Sequence, residues 1–366
     1  MNRVLHVFAK LTRGGIETFV MNVYRGIDKQ SVQFDFAVSY EGGEYEDEVR
    51  ELGGRIFYIA PRRNGIRAYM HHWNEFFRIH AHEYIAIHQH APTLTSLEPL
   101  YYAKKYGVKK RIIHAHSSSV SGSKYHYITH WLGKLFVKQL ATHFVSCSDK
   151  AGHWLYDYTG IDKNQIMLLK NGIDLTPFVY DEDVRRAVRT DLHLSNQIVL
   201  GHVGRFVPVK NHTFLIDLVS AYRSRNPDVV LLLVGDGDGQ LQIEQKVKEL
   251  GLTSCVKFLG SRPDVARLLQ AMDVFVLPSL FEGLPVSLVE AQASGLLTFV
   301  SDTVSKDAQI TSLIHFCPLS AGVDWWAKKI DGLVKVHTRK NMSQDLCVAG
   351  YDVQAVIEKL KEIYLK

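Results

Sequence analysis

The sequence predicts an α/β protein in two parts, each a parallel sheet covered by helices on both faces. Three observations predict it. Short, uniformly apolar runs recur along the chain, with helix-like segments such as Thr18–Tyr24, Gln240–Leu250 and Val265–Ala271 between them; runs of that kind belong to strands buried on both faces. Most of the runs are followed by a polar or glycine-bearing motif, and ligands of parallel sheets collect beyond the carboxyl ends of the strands. Finally, 366 residues suit two domains better than one.

In chain order, Val4–Phe8 leads to Arg13-Gly-Gly-Ile-Glu17, and Phe34–Val38 leads to Tyr40-Glu-Gly-Gly43. Tyr84–Ile87 leads to His88-Gln-His90, and Arg111–Ile113 leads to His114-Ala-His116. Phe144–Ser146 leads to Cys147-Ser-Asp149, and Ile166–Leu169 to Lys170-Asn-Gly-Ile-Asp174. The break follows, because Pro177–Ser195 is polar and charge-rich before a new run starts at Ile198. Domains over 1–175 and 176–350 result. In the second, Ile198–Val203 leads to Gly204-Arg205 and Lys210-Asn211, Val229–Val234 to Gly235-Asp-Gly237, and Val256–Leu259 to Gly260-Ser-Arg262. Leu297–Val300 leads to Ser301-Asp302, and Asp352–Leu365 reads as an amphipathic helix with Val353, Val356, Ile357, Leu360 and Ile363 along one face.

The stretch that organises the chain is Pro278–Gly295, which follows the apolar run Val274–Leu277. Pro285 suits the first helical position, where no backbone N–H is needed, and Gly295 suits a left-handed cap. Glu282 then lies in a loop and Glu290 in a helix. The amides of Gly283 and Leu284 lie at the positive end of that helix, where an anion is welcome. Two acids around such a helix start suit a polyhydroxylated phosphate ester, whose hydroxyls donate to the carboxylates.

Composition is that of an ordinary globular protein, 46% hydrophobic and 22% charged. Cys147, Cys255, Cys317 and Cys347 form no CxxC pair, which argues against a zinc site or disulfide framework and fits a reducing cytoplasm. A strand starts almost at once, with no signal-peptide layout, and no apolar run approaches the ~18 residues of a membrane span. Residues 1–175 hold 22 basic and 16 acidic residues, the remainder 21 and 22, and no acid occurs between Pro99 and Ser148. That local excess points to an anionic partner.

The ordered set Gly14-Gly15-Ile16-Glu17, His114/His116, Asn171-Gly172-Ile173-Asp174, Gly204-Arg205 with Lys210-Asn211, Gly235-Asp236-Gly237 and Phe281-Glu282-Gly283-Leu284-Pro285 resembles the retaining glycosyltransferases of the GT-B type, family 4 in particular. Glu282 and Glu290 fit that family's Glu-x7-Glu pattern. The resemblance runs nearly end to end, and Asn171-Gly-Ile-Asp174 with Ser301-Asp-Thr303 points toward capsule and exopolysaccharide transferases. It implies two Rossmann-like domains facing across a cleft, the first taking a glycan or polyprenyl-diphosphate-linked acceptor, the second a nucleotide sugar. UDP is the expected nucleotide. It also implies a last helix, 351–366, that crosses back to the first domain.

By resemblance, Arg205 and Lys210 bind the diphosphate, Glu290 the ribose, and Glu282 with Gly283 and Leu284 the donor sugar. Gly15, Gly204 and Asn211 join them in donor binding, and His116 contacts the transferred sugar. Cations after a strand end also suit a leaving group that gains negative charge. Glu282 could be read as a nucleophile, as in retaining glycosidases; the resemblance favours front-face transfer with Glu282 as a positioning group. Gly14-Gly15 is not a full dinucleotide fingerprint, so no dinucleotide cofactor is expected.

His80/His82, His88/His90 and His114/His116 repeat one spacing that could hold a metal; they are read as ordinary paired histidines in a chain with 18. Asp236-Gly-Asp238 is read as a turn. The resemblance also implies a metal-independent enzyme, and no cofactor is expected. The acid-free block carries Lys104, Lys105, Lys109, Lys110, Arg111, Lys124, Lys134 and Lys138, with Tyr125, Tyr127, Trp131, Leu132, Leu135 and Phe136 interleaved. Two readings stand: a basic face that docks residues 99–148 on the inner leaflet, or a core-packed helix with solvated lysines. No nucleic-acid-binding signature accompanies the charge. A cytoplasmic, peripherally membrane-associated transferase is the reading adopted, against a nucleotide-sugar epimerase of the same fold or a non-catalytic subunit of an assembly complex.

Overall fold

Apolar runs become strands wherever the backbone pairs on both sides. The computed structural model describes residues 2–117 and 124–366, the side chain of Tyr125 excepted. Two units divide the chain, Met1–Gly172 with Gly350–Lys366 and Ile173–Ala349. The first contains β1 (Asn2–Val7), β2 (Val32–Val38), β3 (Ile56–Tyr58), β4 (Tyr84–Ala91), β5 (Lys110–Ala115), β6 (His143–Ser146) and β7 (Ile166–Leu168). They form a parallel sheet in the order β3-β2-β1-β4-β5-β6-β7. The second contains β8 (Ile198–Val203), β9 (Val229–Val234), β10 (Val256–Phe258), β11 (Val274–Leu277), β12 (Leu297–Ser301) and β13 (Ile314–Cys317), parallel in the order β10-β9-β8-β11-β12-β13.

Helices connect the strands: α1 (Gly15–Gly26), α2 (Glu46–Glu51), α3 (Ile66–His80), α4 (Glu98–Lys105), α5 (Lys124–Leu140) and α6 (Asp149–Tyr156) in the first unit. The second carries α7 (Glu182–Asp191), α8 (His212–Arg223), α9 (Gln240–Glu249), α10 (Val265–Ala271), α11 (Val286–Ala293), α12 (Gly322–Val334) and α13 (Ser343–Val348). The last helix, α14 (Val353–Leu365), returns to the first unit beside α1.

Strand residues alternate between the two faces of the first sheet. Val4, Phe34 and Phe36 pack under α1 and α14, against Phe19, Tyr24, Val356, Leu360 and Tyr364. Leu5, Ile87 and Ile113 pack on the other face, against Trp73, Phe77, Leu100, Val137 and Leu155. Gly26 and Gly172 let α14 come close: a Cβ on Gly26 would lie 2.7 Å from Ile357 Cδ1, and one on Gly172 2.9 Å from Val356 Cγ2.

Sequence and structure part at the sheet edges. β3 and β13 are not expected from the sequence, because each is a short edge strand with partly accessible side chains and so lacks a solid apolar run. β4 runs on through His88-Gln-His90, and β5 through His114, so these histidines lie within strands rather than after them. β4 is held on both sides by β1 and β5, and backbone pairing continues through the polar side chains. Pro285 caps α11 one position before its first residue, and Gly295 closes it at φ +66°.

The strand order reverses between β1 and β4 in one sheet and between β8 and β11 in the other. Such switch points open a crevice at the carboxyl ends of the strands. In the second unit the strand-end loops are laced together there. Gly204 N–H donates to Val234 O at 2.9 Å, and Gly235 N–H donates to Gly260 O at 2.8 Å. Gly235 has φ +138°, and a Cβ on it would fall 2.2 Å from Gly204 O. Gly235→Ala is therefore expected to destabilise the second unit by about 2–3 kcal/mol, from backbone strain and the clash together; thermal unfolding of the variant checks it, and an unchanged midpoint would refute the lacing.

Candidate active site

The site in the second unit grows from the two strands that flank its switch point. After β8 the chain passes Gly204 and Arg205, makes one tight turn over Pro208–Lys210, and enters α8 through Asn211. Asn211 adopts the left-handed conformation at φ 55°, which asparagine tolerates better than most residues. Its amide donates to Pro278 O at 3.1 Å, and Leu280 N–H donates to Val209 O at 2.8 Å, joining this loop to the one after β11. Gly204 has no side chain to block Lys210: a Cβ there would lie 3.3 Å from Lys210 Cε.

Lys210 and Glu282 meet as an ion pair, Nζ to Oε1 at 2.6 Å, with both side chains less than a fifth exposed. The Glu282 backbone is fixed independently. It bridges to Val304, and its carbonyl accepts from Ser305 N–H at 3.0 Å. Thr303 Oγ1 donates to Ser279 O at 2.8 Å on the same loop. The amides of Gly283 and Leu284 find no acceptor among the described residues, and Gly283 faces open space. Glu290, in α11, is partly accessible, and its carboxylate finds no partner among the described residues. Burial among protein atoms pushes its carboxyl up to about 7.

Of the residues singled out in the sequence, then, Gly204, Lys210, Asn211 and Glu282 come together, with Gly283, Leu284 and Glu290 following Glu282. Arg205 shares the β8 loop, is exposed, and makes no ion pair among the described residues. The two loops thus carry cations, free amides and an unsatisfied carboxylate, a set suited to an anion that also carries hydroxyls.

Gly15 and His116 belong to the first unit. Gly15 is the exposed first residue of α1. His116 follows β5, and its Nε2 lies 2.9 Å from His90 Nδ1. Burial pushes its imidazole down to about 3. Sequence reasoning overlooks His6, Nδ1 at 3.0 Å from His90 Nε2, and Tyr364, whose hydroxyl lies 2.6 Å from His88 Nδ1. A histidine in the middle of the apolar run Val4–Phe8 was the available signal. His80 lies at the end of α3 and His82 in the turn that leads into β4, so neither is within a strand.

Of the basic block, Lys104, Lys105, Lys109, Lys124 and Lys138 are exposed, whereas Lys134 turns inward. Lys134 is buried and donates to Trp154 O at 2.9 Å and Asp157 O at 2.8 Å. Lys104 donates to Gln139 O, Lys105 to Asn74 Oδ1, Lys110 to Tyr364 O, Lys138 to Gly160 O, and Arg111 to the carbonyls of Leu140 and Val108. α5 also turns apolar side chains outward: Tyr127, Ile128, Trp131, Leu132, Leu135 and Phe136 are 43–64% exposed. Ser118–Ser123 and the Tyr125 side chain lie outside the described residues. Beside the stripe runs a groove of about 880 Å³ lined by Ile66, Met70, Leu97, Tyr101, Leu132 and Phe136, with Lys104 and Lys105 at its rim. No helix among the described residues is long and apolar enough to cross a membrane.

Comparison with known proteins agrees with this geometry. The model described as Glycosyltransferase Family 4 matches residues 13–177, and that described as Glycosyl transferases group 1 matches residues 184–315. The chain is 34% identical to the putative glycosyltransferase EpsF of Bacillus subtilis, over 99% of this chain and 96% of that one. It is 23% identical to the capsular polysaccharide biosynthesis glycosyltransferase CapH of Staphylococcus aureus, covering 100% and 99%. Against the UDP-Gal:alpha-D-GlcNAc-diphosphoundecaprenol alpha-1,3-galactosyltransferase of Escherichia coli it is 27% identical, covering 64% and 62%. Among solved structures, Anabaena Alr3699/HepE in complex with UDP-glucose superposes with a TM-score of 0.80 at 18% identity, over 99% of both chains.

The raised Glu290 carboxyl makes a pH signature. Folded chain keeps the proton that unfolded chain loses between about pH 4.5 and about 7. The contribution of this group to stability is therefore present below that window and is lost as pH rises through it. Wild type minus Glu290→Gln is expected to lose about 2–3 kcal/mol of relative stability from pH 4.5 to pH 8; parallel thermal melts of the two proteins check it, and a pH-independent difference would contradict a buried carboxyl.

Proposed function

This chain belongs to the glycosyltransferases, with the two parallel-sheet domains of the GT-B fold, and from that premise we propose how it works. It serves bacterial polysaccharide biosynthesis. In our reading it moves a hexose or hexosamine from a UDP-linked sugar to a glycan or polyprenyl-diphosphate-linked acceptor, with retention of anomeric configuration. The observation that carries the reading is the Lys210–Glu282 pair at the β8/β11 switch point, beside free amides and the unpartnered Glu290 carboxylate. Two similar proteins support the donor and the acceptor: one is solved with UDP-glucose, and another acts on a diphosphoundecaprenol-linked sugar.

The chemistry follows from where charge develops. As the bond from the anomeric carbon to the diphosphate oxygen breaks, negative charge grows on the leaving group. Lys210 and Arg205 meet it, and fixed cations stabilise the transition state more than the ground state. Glu282 holds the Lys210 ammonium in place and accepts from donor-sugar hydroxyls, while Gly283 and Leu284 amides face the phosphates. Glu290 accepts from the ribose hydroxyls. The acceptor hydroxyl attacks the face that the diphosphate leaves, and its proton passes to the departing diphosphate oxygen. Asn211 completes the donor contacts of the second unit. With two cations on the leaving group, the transfer step calls for no metal ion.

The outward face of α5 supports docking at the inner surface of the membrane. An exposed apolar stripe beside a groove with a lysine rim suits insertion at the headgroup boundary, where a polyprenyl-linked acceptor is found. The lysines hold carbonyls, so apolar insertion carries more of this binding than charge does.

Two experiments test these readings. Incubation with UDP-linked hexoses and hexosamines, with and without lipid-linked acceptor, is expected to give acceptor-dependent UDP release and a product with the donor's anomeric configuration. Lys210→Ala is expected to cut kcat about 10²–10³-fold; an isomerised nucleotide sugar without acceptor would mean an epimerase instead. In flotation with anionic vesicles, Trp131→Glu/Leu135→Glu is expected to weaken binding at least tenfold; equal flotation of wild type and variant would remove α5 from the interface.

A further inference from the structure

Five imidazoles stand on one face of three adjacent strands in the first unit. His6 comes from β1, His88 and His90 from β4, His114 from β5 and His116 from just beyond it. Register explains the gathering: His6 pairs with His88 across β1/β4, and His90 with His114 across β4/β5. One ring nitrogen from each of His90, His114 and His116 lies within 4.8 Å of the other two. We propose that His90, His114 and His116 form a binding site for a divalent transition-metal ion of the zinc class, independent of the sugar-transfer chemistry.

Hydrogen bonding selects the ligand atoms. His90 Nε2 is 3.0 Å from His6 Nδ1, and His114 Nδ1 is 3.2 Å from His88 Nε2. His114 Nε2 is left for an ion, and His90 Nδ1 meets only His116 Nε2, at 2.9 Å, a contact that an ion between the two would replace. His114 Nε2 is fully buried and has no hydrogen-bond partner, and the same holds for His116 Nδ1. A buried polar atom left unmade costs about 1–3 kcal/mol, and coordination removes that cost. The outer bonds are those a metal-bound imidazole needs. His90 donates its second N–H to His6, and His114 donates to His88, which in turn donates to the Tyr364 oxygen.

Distances agree with this assignment. Tetrahedral zinc with nitrogens at about 2.0–2.1 Å sets ligand nitrogens about 3.4 Å apart. The 2.9 Å contact of His90 Nδ1 with His116 Nε2 opens slightly, and separations of up to 4.8 Å close by up to about 1.4 Å. His116 is partly accessible and gives the ion a way in. The ligand set, all imidazole, favours zinc, copper, nickel or cobalt over magnesium or calcium. Bound there, the ion would pin His116 against the carboxyl ends of β4 and β5, under Phe19 of α1.

The test uses the untagged full chain, stripped with chelator and titrated with Co²⁺. We expect saturation at one equivalent, the visible bands of nitrogen-ligated Co²⁺, and displacement by Zn²⁺ with a rise in Tm. His114→Gln is expected to lower Zn²⁺ affinity at least 100-fold, whereas His82→Ala, on the surface, leaves it unchanged. Should His114→Gln fail to fold, Cu²⁺ bound to wild type is read by its electron paramagnetic resonance: coupling to three imidazole nitrogens supports the site, and fewer than three overturns it. Absence of saturable Co²⁺ or Zn²⁺ binding, or binding that folded His114→Gln retains in full, overturns it equally.

Discussion

The ion pair between Lys210 and Glu282 is the constraint on which the second unit's site depends. A lysine side chain left free in water samples many rotamers, and ordering it costs up to about 2 kcal/mol. Here the ordering is done before any ligand arrives, by a carboxylate whose own backbone is clamped to Val304 and Ser305. The pair also crosses the β8/β11 boundary, where the sheet has no covering connection of its own. Charge, rigidity and an opening thus coincide at one point, and each has a separate structural cause.

Much of this was legible in the chain, and the rest was hidden for physical reasons. β8, β9 and β11 stand on the residues that their apolar runs mark, because each is central and buried on both faces. The edge strands β3 and β13 were not legible, since an edge needs no solid apolar run. The glycine, lysine and glutamate motifs identify the loops, yet nothing in a linear spacing says that Lys210 turns back onto Glu282 rather than standing free like Arg205. His88 and His90 look like loop residues because they interrupt an apolar run; backbone pairing on both sides carries the strand through them.

The least legible element is α5. Its alternation of basic and apolar residues reads naturally as a helix with lysines outward. The structure leaves Lys124 and Lys138 exposed but turns Lys134 inward to the carbonyls of Trp154 and Asp157 at the end of α6, and His130 accepts from Leu94 N–H at 3.1 Å on the same inner face. The apolar residues are left facing out as a consequence of where two polar side chains found partners. Hydrophobicity alone does not decide which side of a helix is inside.

The return of α14 to the first sheet has a consequence for how the chain comes into being. Its apolar face covers Val4, Phe34 and Phe36, and Tyr364 reaches the buried His88. The strands are made before the second unit and α14 after it. The first sheet therefore has α1 but not α14 on this face throughout synthesis of the whole second unit, the period in which nascent polypeptides are most prone to aggregate and most in need of a chaperone.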